Sequence, residues 1–151
     1  LNLLVVVLLK MRPYYYRNNS TNYTKSPSFQ LCKIQKGLLG SYYYAENPEY
    51  PLSTTITNLN VDMIGRMDEF HPNNDNYIYL IGSDKLSTDL HNLSEMANEK
   101  YTSIDLDYTF NDPNDPNRFY YRSDHYNFAL KGVPIIFYFN GEHADYHQHS
   151  G

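Results

Sequence analysis

The sequence lacks several features that would place a protein in a class at once. It has no tryptophan, and its one cysteine, Cys32, cannot form an internal disulfide, so cysteine usage does not decide the redox compartment. Residues 1–9 are nearly continuously apolar, but the stretch is far shorter than the roughly 20 residues that a membrane-spanning helix needs. We therefore expect no internal disulfide framework and no membrane span in this sequence.

Acidic residues are absent from the first 36 positions, which hold six basic residues. The rest of the chain holds six basic and seventeen acidic residues. The net charge of −5 and the pI near 5.6 argue against a nucleic-acid or anionic-membrane partner. The abrupt change of charge predicts a boundary near Lys36. We leave residues 1–36 unassigned, since they do not look like native partners of the rest, and expect residues 37–151 to form the domain.

Strand-like and helical segments alternate from Gly37 onward. Residues 87–101 form the clearest predicted helix, because Leu86, Leu90, Leu93 and Ala97 recur on one helical face. The alternation predicts a three-layer α/β domain, a sheet with helices on both faces. The predicted strands are residues 54–62, 76–82, 104–110 and 133–139, and the other predicted helices are residues 42–46 and 124–130.

The end of the sequence is its most informative stretch. The apolar run 133–139 reads as a buried strand, and Asn140-Gly141 then ends it. The next residues include two His, one Glu, one Asp and one Tyr, where a strand of an open α/β sheet would aim a ligand-binding loop. Tyr146 and His147 fit a phenol beside a metal ligand. A polar surface loop after a core strand explains the same residues.

Two other places have residues suited to chemistry. Asp62 closes a predicted strand between two apolar residues, where an ionised carboxylate is costly unless it is paired or bound to a metal. A helix cap or a salt bridge also explains it. Residues 122–125, Arg-Ser-Asp-His, put three ionisable groups ahead of a predicted helix, and Ser123 or Asp124 as an N-cap explains part of this without any function.

Four motifs follow one another in an order that is more specific than any one of them. They are Gly-Leu-Leu-Gly-Ser at 37–41, Asn-x-Asp-Met-Ile-Gly-Arg at 60–66, Arg-Ser-Asp-His-x-x-Phe at 122–128 with Gly-Val-Pro at 132–134, and Gly-x-His-x-Asp-Tyr-His at 141–147. Together they closely resemble the co-catalytic zinc aminopeptidases of metallopeptidase family twenty-eight, which includes bacterial leucyl-type aminopeptidases. The resemblance covers Lys36 to about Gln148.

The resemblance implies a metallo-exopeptidase that removes N-terminal residues from peptides with two zinc ions at the carboxyl ends of the strands. Asp62 matches a ligand of one zinc ion and His147 a ligand of the other, so their side chains should lie within about 10 Å of each other. Tyr146 matches the residue that hydrogen-bonds the tetrahedral intermediate. Arg122 lies in the family's substrate-side motif. Peptides are the implied partners, and the resemblance is compatible with export from the cell.

The departures from the family pattern concern the metal site itself. The family has a Glu-Glu pair, the general base and a zinc ligand, where this sequence has Ile34 and Gln35. No histidine precedes His71, so the family's early His-x-Asp ligands are missing too. We expect the C-terminal portion of such an enzyme, truncated at both ends, inactive, and binding zinc weakly or not at all. The alternative is a non-catalytic peptidase-like domain that serves in peptide or protein binding.

Overall fold

The computed structural model describes residues 5–11, 27–32, 38–144 and 146, the first two ranges by their backbone alone. The strands are β1 (Val5–Met11), β2 (Pro27–Cys32), β3 (Thr55–Val61), β4 (Tyr77–Ile81), β5 (Asp105–Asp107) and β6 (Ile135–Phe139). The α-helices are α1 (Leu39–Glu46), α2 (Thr88–Tyr101) and α3 (His125–Ala129). Short 3₁₀ helices cover Leu52–Thr54, Thr109–Asn111 and Phe119–Tyr121.

Within these residues the strands form one mixed sheet in the order β2-β1-β3-β6-β4-β5. Strand β6 runs parallel to β3, with Val61 opposite Tyr138, and antiparallel to β4, with Tyr79 opposite Phe139. The carboxyl ends of β3 and β6 therefore lie at the same sheet edge as the amino end of β4. The chain has an α/β fold, and this edge is where the candidate residues of three segments can meet.

Strand β6 is the apolar strand expected from the sequence, and its alternating side chains contact different elements. Phe137 and Phe139 pack with aromatic residues of β4 and of the two 3₁₀ helices at 109–111 and 119–121. Tyr138 points to the opposite face, where its hydroxyl lies 3.4 Å from Ser94 Oγ of α2. On the first face Ile135 packs with Phe128 of α3. Strand β6 therefore contributes side chains to both hydrophobic clusters of the core.

The predicted helix at 87–101 is confirmed, since α2 spans Thr88–Tyr101 and the Ser87 side chain caps it through the Leu90 amide. The apolar stripe is not its contact face. None of the α2 residues, all of them described, is buried, and Leu93 is 59% exposed. The half-buried residues of α2 make hydrogen bonds to neighbouring elements. Among these are His91 Nδ1 with Ser83 Oγ at 2.9 Å and Asn98 Nδ2 with the Ile104 carbonyl at 2.8 Å.

Strand β5 is shorter than the predicted strand at 104–110. Its last residue, Asp107, accepts a hydrogen bond from the Thr109 amide at 2.7 Å, a local turn that competes with the strand ladder. The 3₁₀ helix at Thr109–Asn111 follows at once. The remaining predicted elements between residues 42 and 139 occur with bounds shifted by a few residues, as expected for strand and helix ends.

The unassigned segment contributes backbone to the sheet. Strand β1 pairs antiparallel with β3, placing Leu8 opposite Asn58, and β2 pairs with β1 at the sheet edge. The boundary near Lys36 itself stays a prediction, because pairing of strands does not test whether two segments belong to one domain. In the part of the chain that the structure describes, no helix has the length and apolar character to cross a membrane.

Gly82, directly after β4, lies against the Ile135 side chain of β6, and a substitution there tests how tightly β4 and β6 pack. Its φ is +81°, and a Cβ atom there would lie 2.4 Å from Ile135 Cδ1, whereas at Gly132 (φ +77°) nothing lies within 4 Å of such an atom. We expect Gly82→Ala and Gly132→Ala each to lose about 1–2 kcal/mol for the left-handed backbone. Gly82→Ala should lose roughly 1–3 kcal/mol more for overpacking.

Urea unfolding of the two alanine variants and the wild type measures this difference. Gly132→Ala is the matched control, since it changes the same residue type at a similar φ without the close contact. Equal free energies of unfolding for the two variants would contradict the packing described here.

Candidate functional site

Asp62 lies immediately after β3, at the sheet edge where β6 also ends. Its amide donates to the Tyr138 carbonyl of β6 at 3.2 Å, which fixes its backbone. Its carboxylate Oδ2 accepts a hydrogen bond from Ser123 Oγ at 2.8 Å. The residue is half-buried, so one side of the carboxylate faces the protein. Two motifs that are 61 residues apart in sequence therefore meet at this carboxylate.

A second hydrogen bond fixes the direction of the first. Asn60 Nδ2, fully buried on β3, donates to Ser123 Oγ at 3.0 Å. Because the hydroxyl accepts from this amide, its own proton is available for Asp62. The relay from Asn60 through Ser123 to Asp62 orients the carboxylate. Such outer hydrogen bonds are what hold a carboxylate ligand in the geometry that a metal ion needs.

His125 lies beside this relay as a neutral, buried imidazole. Its Nε2 lies 2.7 Å from the Tyr120 carbonyl and must donate to it, which leaves Nδ1 as an acceptor 3.4 Å from Asn60 Nδ2. The ring stacks on Phe137 at 4.5 Å. Burial lowers the pKa of His125 to about 4, although the Tyr120 carbonyl acts in the opposite direction. The residue is a core histidine.

Asp124 is buried in a polar contact between α1 and α3 that sequence reasoning missed. It accepts a hydrogen bond from Ser41 Oγ, and Asn127 Nδ2 donates to Ser41 Oγ at 2.7 Å. Burial raises the pKa of Asp124, and the nearby charge of Asp62 raises it further, while the Ser41 hydrogen bond lowers it. Asp124 occupies the N-cap position of α3 but makes no capping hydrogen bond with its side chain. Its place in the same motif as Ser123 was the available signal.

The predicted substrate-side residue Arg122 makes an ion pair with the loop after β6. Its Nη2 lies 2.7 Å from Glu142 Oε1, and both side chains are about two-fifths exposed (42% and 39%). Its guanidinium also stands 4.8 Å above the Phe119 ring. An exposed pair of this kind contributes little to stability, so the arginine can exchange its carboxylate partner for another acceptor.

Tyr146, the predicted intermediate-binding residue, follows in the same loop, and its amide donates to the His143 carbonyl at 2.9 Å. His147 lies outside the described residues, and so do Ile34 and Gln35. The expected approach of Asp62 and His147 therefore stays a prediction. What the structure does provide is the strand geometry, since Asp62 and the Asn140-Gly141 step end neighbouring parallel strands.

The described residues do not form a metal centre by themselves. Among residues 38–144 and 146, no group of three or more His, Cys, Asp or Glu side chains has an arrangement that could hold a metal ion. A cavity of about 560 Å³ opens beside the sheet edge at which β3 and β6 end. Its lining includes Arg66, Asp75, Tyr77, Asn140 and His143. This edge can accept a polar ligand, with charges of both signs near its opening.

Comparisons with known proteins agree with the motif order. Residues 35–151 match the family model described as Peptidase family M28. No curated protein and no solved structure matches the sequence.

The buried imidazole of His125 predicts a pH dependence of stability. The unfolded chain binds a proton at His125 near pH 6.5, whereas the folded chain does so near pH 4. Stability is therefore lost as the pH falls through this window, by up to roughly 3 kcal/mol. Asp124, whose pKa is raised by burial, acts in the opposite direction because its folded state binds the proton first.

We expect His125→Gln to flatten the decrease in unfolding free energy between about pH 6.5 and pH 4.5, as measured by urea unfolding at several pH values. His91→Gln, on the partly exposed His91 of α2, is the control and should leave the slope as in the wild type. The same slope in wild type and His125→Gln would show that another group carries the pH dependence.

Proposed function

This chain belongs to peptidase family M28, and on that basis we propose that it is the later part of a metallo-exopeptidase domain that removes N-terminal residues from peptides. The whole domain would be a three-layer sheet flanked by helices, with two zinc ions at the carboxyl ends of its strands. The observation that carries the proposal is the hydrogen bond from Ser123 to Asp62, because it joins two family motifs at the edge where β3 and β6 end.

Four residues have proposed roles at this edge. Asp62 and His147 would each supply a ligand to a different zinc ion. Tyr146 would hydrogen-bond the developing oxyanion of a peptide carbonyl. Arg122 would bind the substrate backbone, and it would exchange Glu142 for that new acceptor, since the existing pair is exposed and weakly held.

The residues present do not fit a complete two-zinc site. Catalytic zinc sites use three protein ligands per ion, and the matched set in this chain offers one for each. Ile34 has no group that can act as a base, and the neutral amide of Gln35 is a poor substitute for a carboxylate ligand. We therefore propose that this polypeptide binds zinc weakly or not at all and has no aminopeptidase activity.

A non-catalytic domain is the second candidate, and the identity of Ile34 and Gln35 favours it. A domain that only binds peptides needs an accessible cavity and polar groups, both of which occur beside Asn140. It does not need a base. In that case peptides would bind equally well with and without a chelator.

Hydrolysis of a leucyl chromogenic amide with added zinc tests the main proposal. We expect no turnover by the 151-residue chain, because general acid–base catalysis alone contributes roughly 10²–10⁴-fold in rate and the base is missing. A longer chain that supplies the His-x-Asp and Glu-Glu motifs upstream of Gly37 is the positive control.

Turnover at a rate comparable to the longer chain would refute the assignment of the missing base and ligands. Peptide binding measured by calorimetry with and without a chelator separates the two candidates. Binding that survives the chelator supports the non-catalytic domain, and absence of peptide binding under both conditions supports the inactive peptidase fragment.

A further inference from the structure

Asp68 forms a buried polar cluster that the proposed reaction does not use. It lies between β3 and β4, is 6% exposed, and belongs to the loop that follows Asp62. Its Oδ1 accepts from the amides of Phe70 at 3.2 Å and His71 at 3.1 Å, and Tyr79 donates its hydroxyl proton to Oδ2 at 2.7 Å. Both oxygens of this carboxylate therefore accept hydrogen bonds from the protein.

Three ring side chains complete the cluster, those of Tyr79, His71 and Tyr77. Burial, followed by the Asp68 carboxylate, raises the pKa of Tyr79, so its hydroxyl stays a donor. His71 stacks on Tyr77 at 3.7 Å and lies between two carboxylates, with Nδ1 3.2 Å from Asp68 Oδ1 and Nε2 3.3 Å from Asp107 Oδ2. The loop after β3 is thus tied to β4 and to the end of β5.

The cluster also holds the residues that follow β6. The Tyr77 hydroxyl accepts from the Asp68 amide at 3.0 Å and donates its single proton to the Asn140 carbonyl at 2.5 Å, the closest acceptor. Gly141, at φ +94°, lies so close that a Cβ atom there would be 2.3 Å from Asp68 Oδ2. The backbone that leads to Tyr146 therefore passes directly over the Asp68 carboxylate.

Asn140 is also fixed by the residues that directly follow Asp62. The Asn140 amide donates to the Met63 carbonyl at 3.3 Å, and Asn140 Oδ1 accepts from the Gly65 amide at 3.0 Å. The loop of residues 62–71 therefore contacts the Asn140-Gly141 step near both of its ends. Its first residues bind Asn140, and Asp68, which accepts the amides of Phe70 and His71, lies against Gly141.

We infer that Asp68 is the positioning residue of the candidate site, setting the place of residues 140–144, which lead to Tyr146, relative to Asp62. The inference rests on the proposed function for the roles of Tyr146 and Asp62. The positioning itself is a property of the fold and can be measured without zinc or activity.

Asp68→Asn is the main variant, because it keeps the volume and replaces an acceptor oxygen by a donor group facing other donors. We expect faster amide hydrogen exchange at residues 140–146, with α2 and α3 unchanged. Tyr79→Phe removes the 2.7 Å hydrogen bond to Asp68 and the 3.2 Å contact of the same hydroxyl with His71 Nδ1, but leaves the carboxylate in place, and should give a smaller increase at the same residues. It decides the question where Asp68→Asn does not fold.

Two controls separate positioning from general loss of stability. Asp112→Asn changes an exposed loop carboxylate, and Leu52→Ala destabilises the separate packing around Phe128. Neither should accelerate exchange selectively at residues 140–146. Exchange at these residues that is no faster in Asp68→Asn or Tyr79→Phe than in the controls overturns the inference.

The exchange experiment depends neither on zinc binding nor on turnover. No difference in exchange between the two variants and the controls refutes the positioning role alone, whereas turnover of the leucyl amide by the 151-residue chain refutes the proposed function alone.

Discussion

The parallel pairing of β3 with β6 is the constraint on which the rest of the site depends. It brings the amide of Asp62 to the Tyr138 carbonyl and the Asn140 amide to the Met63 carbonyl. Two backbone segments that carry candidate residues thereby leave the sheet side by side. Ser123, from a third segment, reaches the same place because α3 packs over β6 through Phe128 and Ile135.

The interior on this side of the sheet is more polar than stability alone would favour. Asn58 and Asn60 are fully buried on β3, and both polar atoms of the Asn58 side chain have no hydrogen-bond partner in the described part of the structure. An unpaired buried polar group costs roughly 1–3 kcal/mol. Departures of this kind from an apolar core tend to occur where function, rather than packing, selects the residue. The neighbouring Asn60 carries out such a role by orienting Ser123.

The sequence was sufficient for the parts of the fold that follow from local pattern. The apolar run that became β6 and the helical spacing that indicated α2 both act over a few residues. It was not sufficient for contacts between distant segments. The salt bridge of Arg122 with Glu142 and the hydrogen bond of Ser41 with Asp124 depend on the arrangement of the sheet. The contact face of α2 was missed for the same reason, since its hydrogen-bonding partners lie on other elements.

The site is expected to form late in folding, because the pairing of β3 with β6 closes a long loop. Thr57 and Pro134, in contact beside the β3–β6 ladder, are 77 residues apart in sequence. Pairings at such a separation form slowly, since the entropy of closing the loop is lost before the contacts compensate for it. Until β6 arrives, β3 and β4 each present an unpaired edge that can pair with another chain. The strand that completes the candidate site is therefore also the one that protects the folding chain from aggregation.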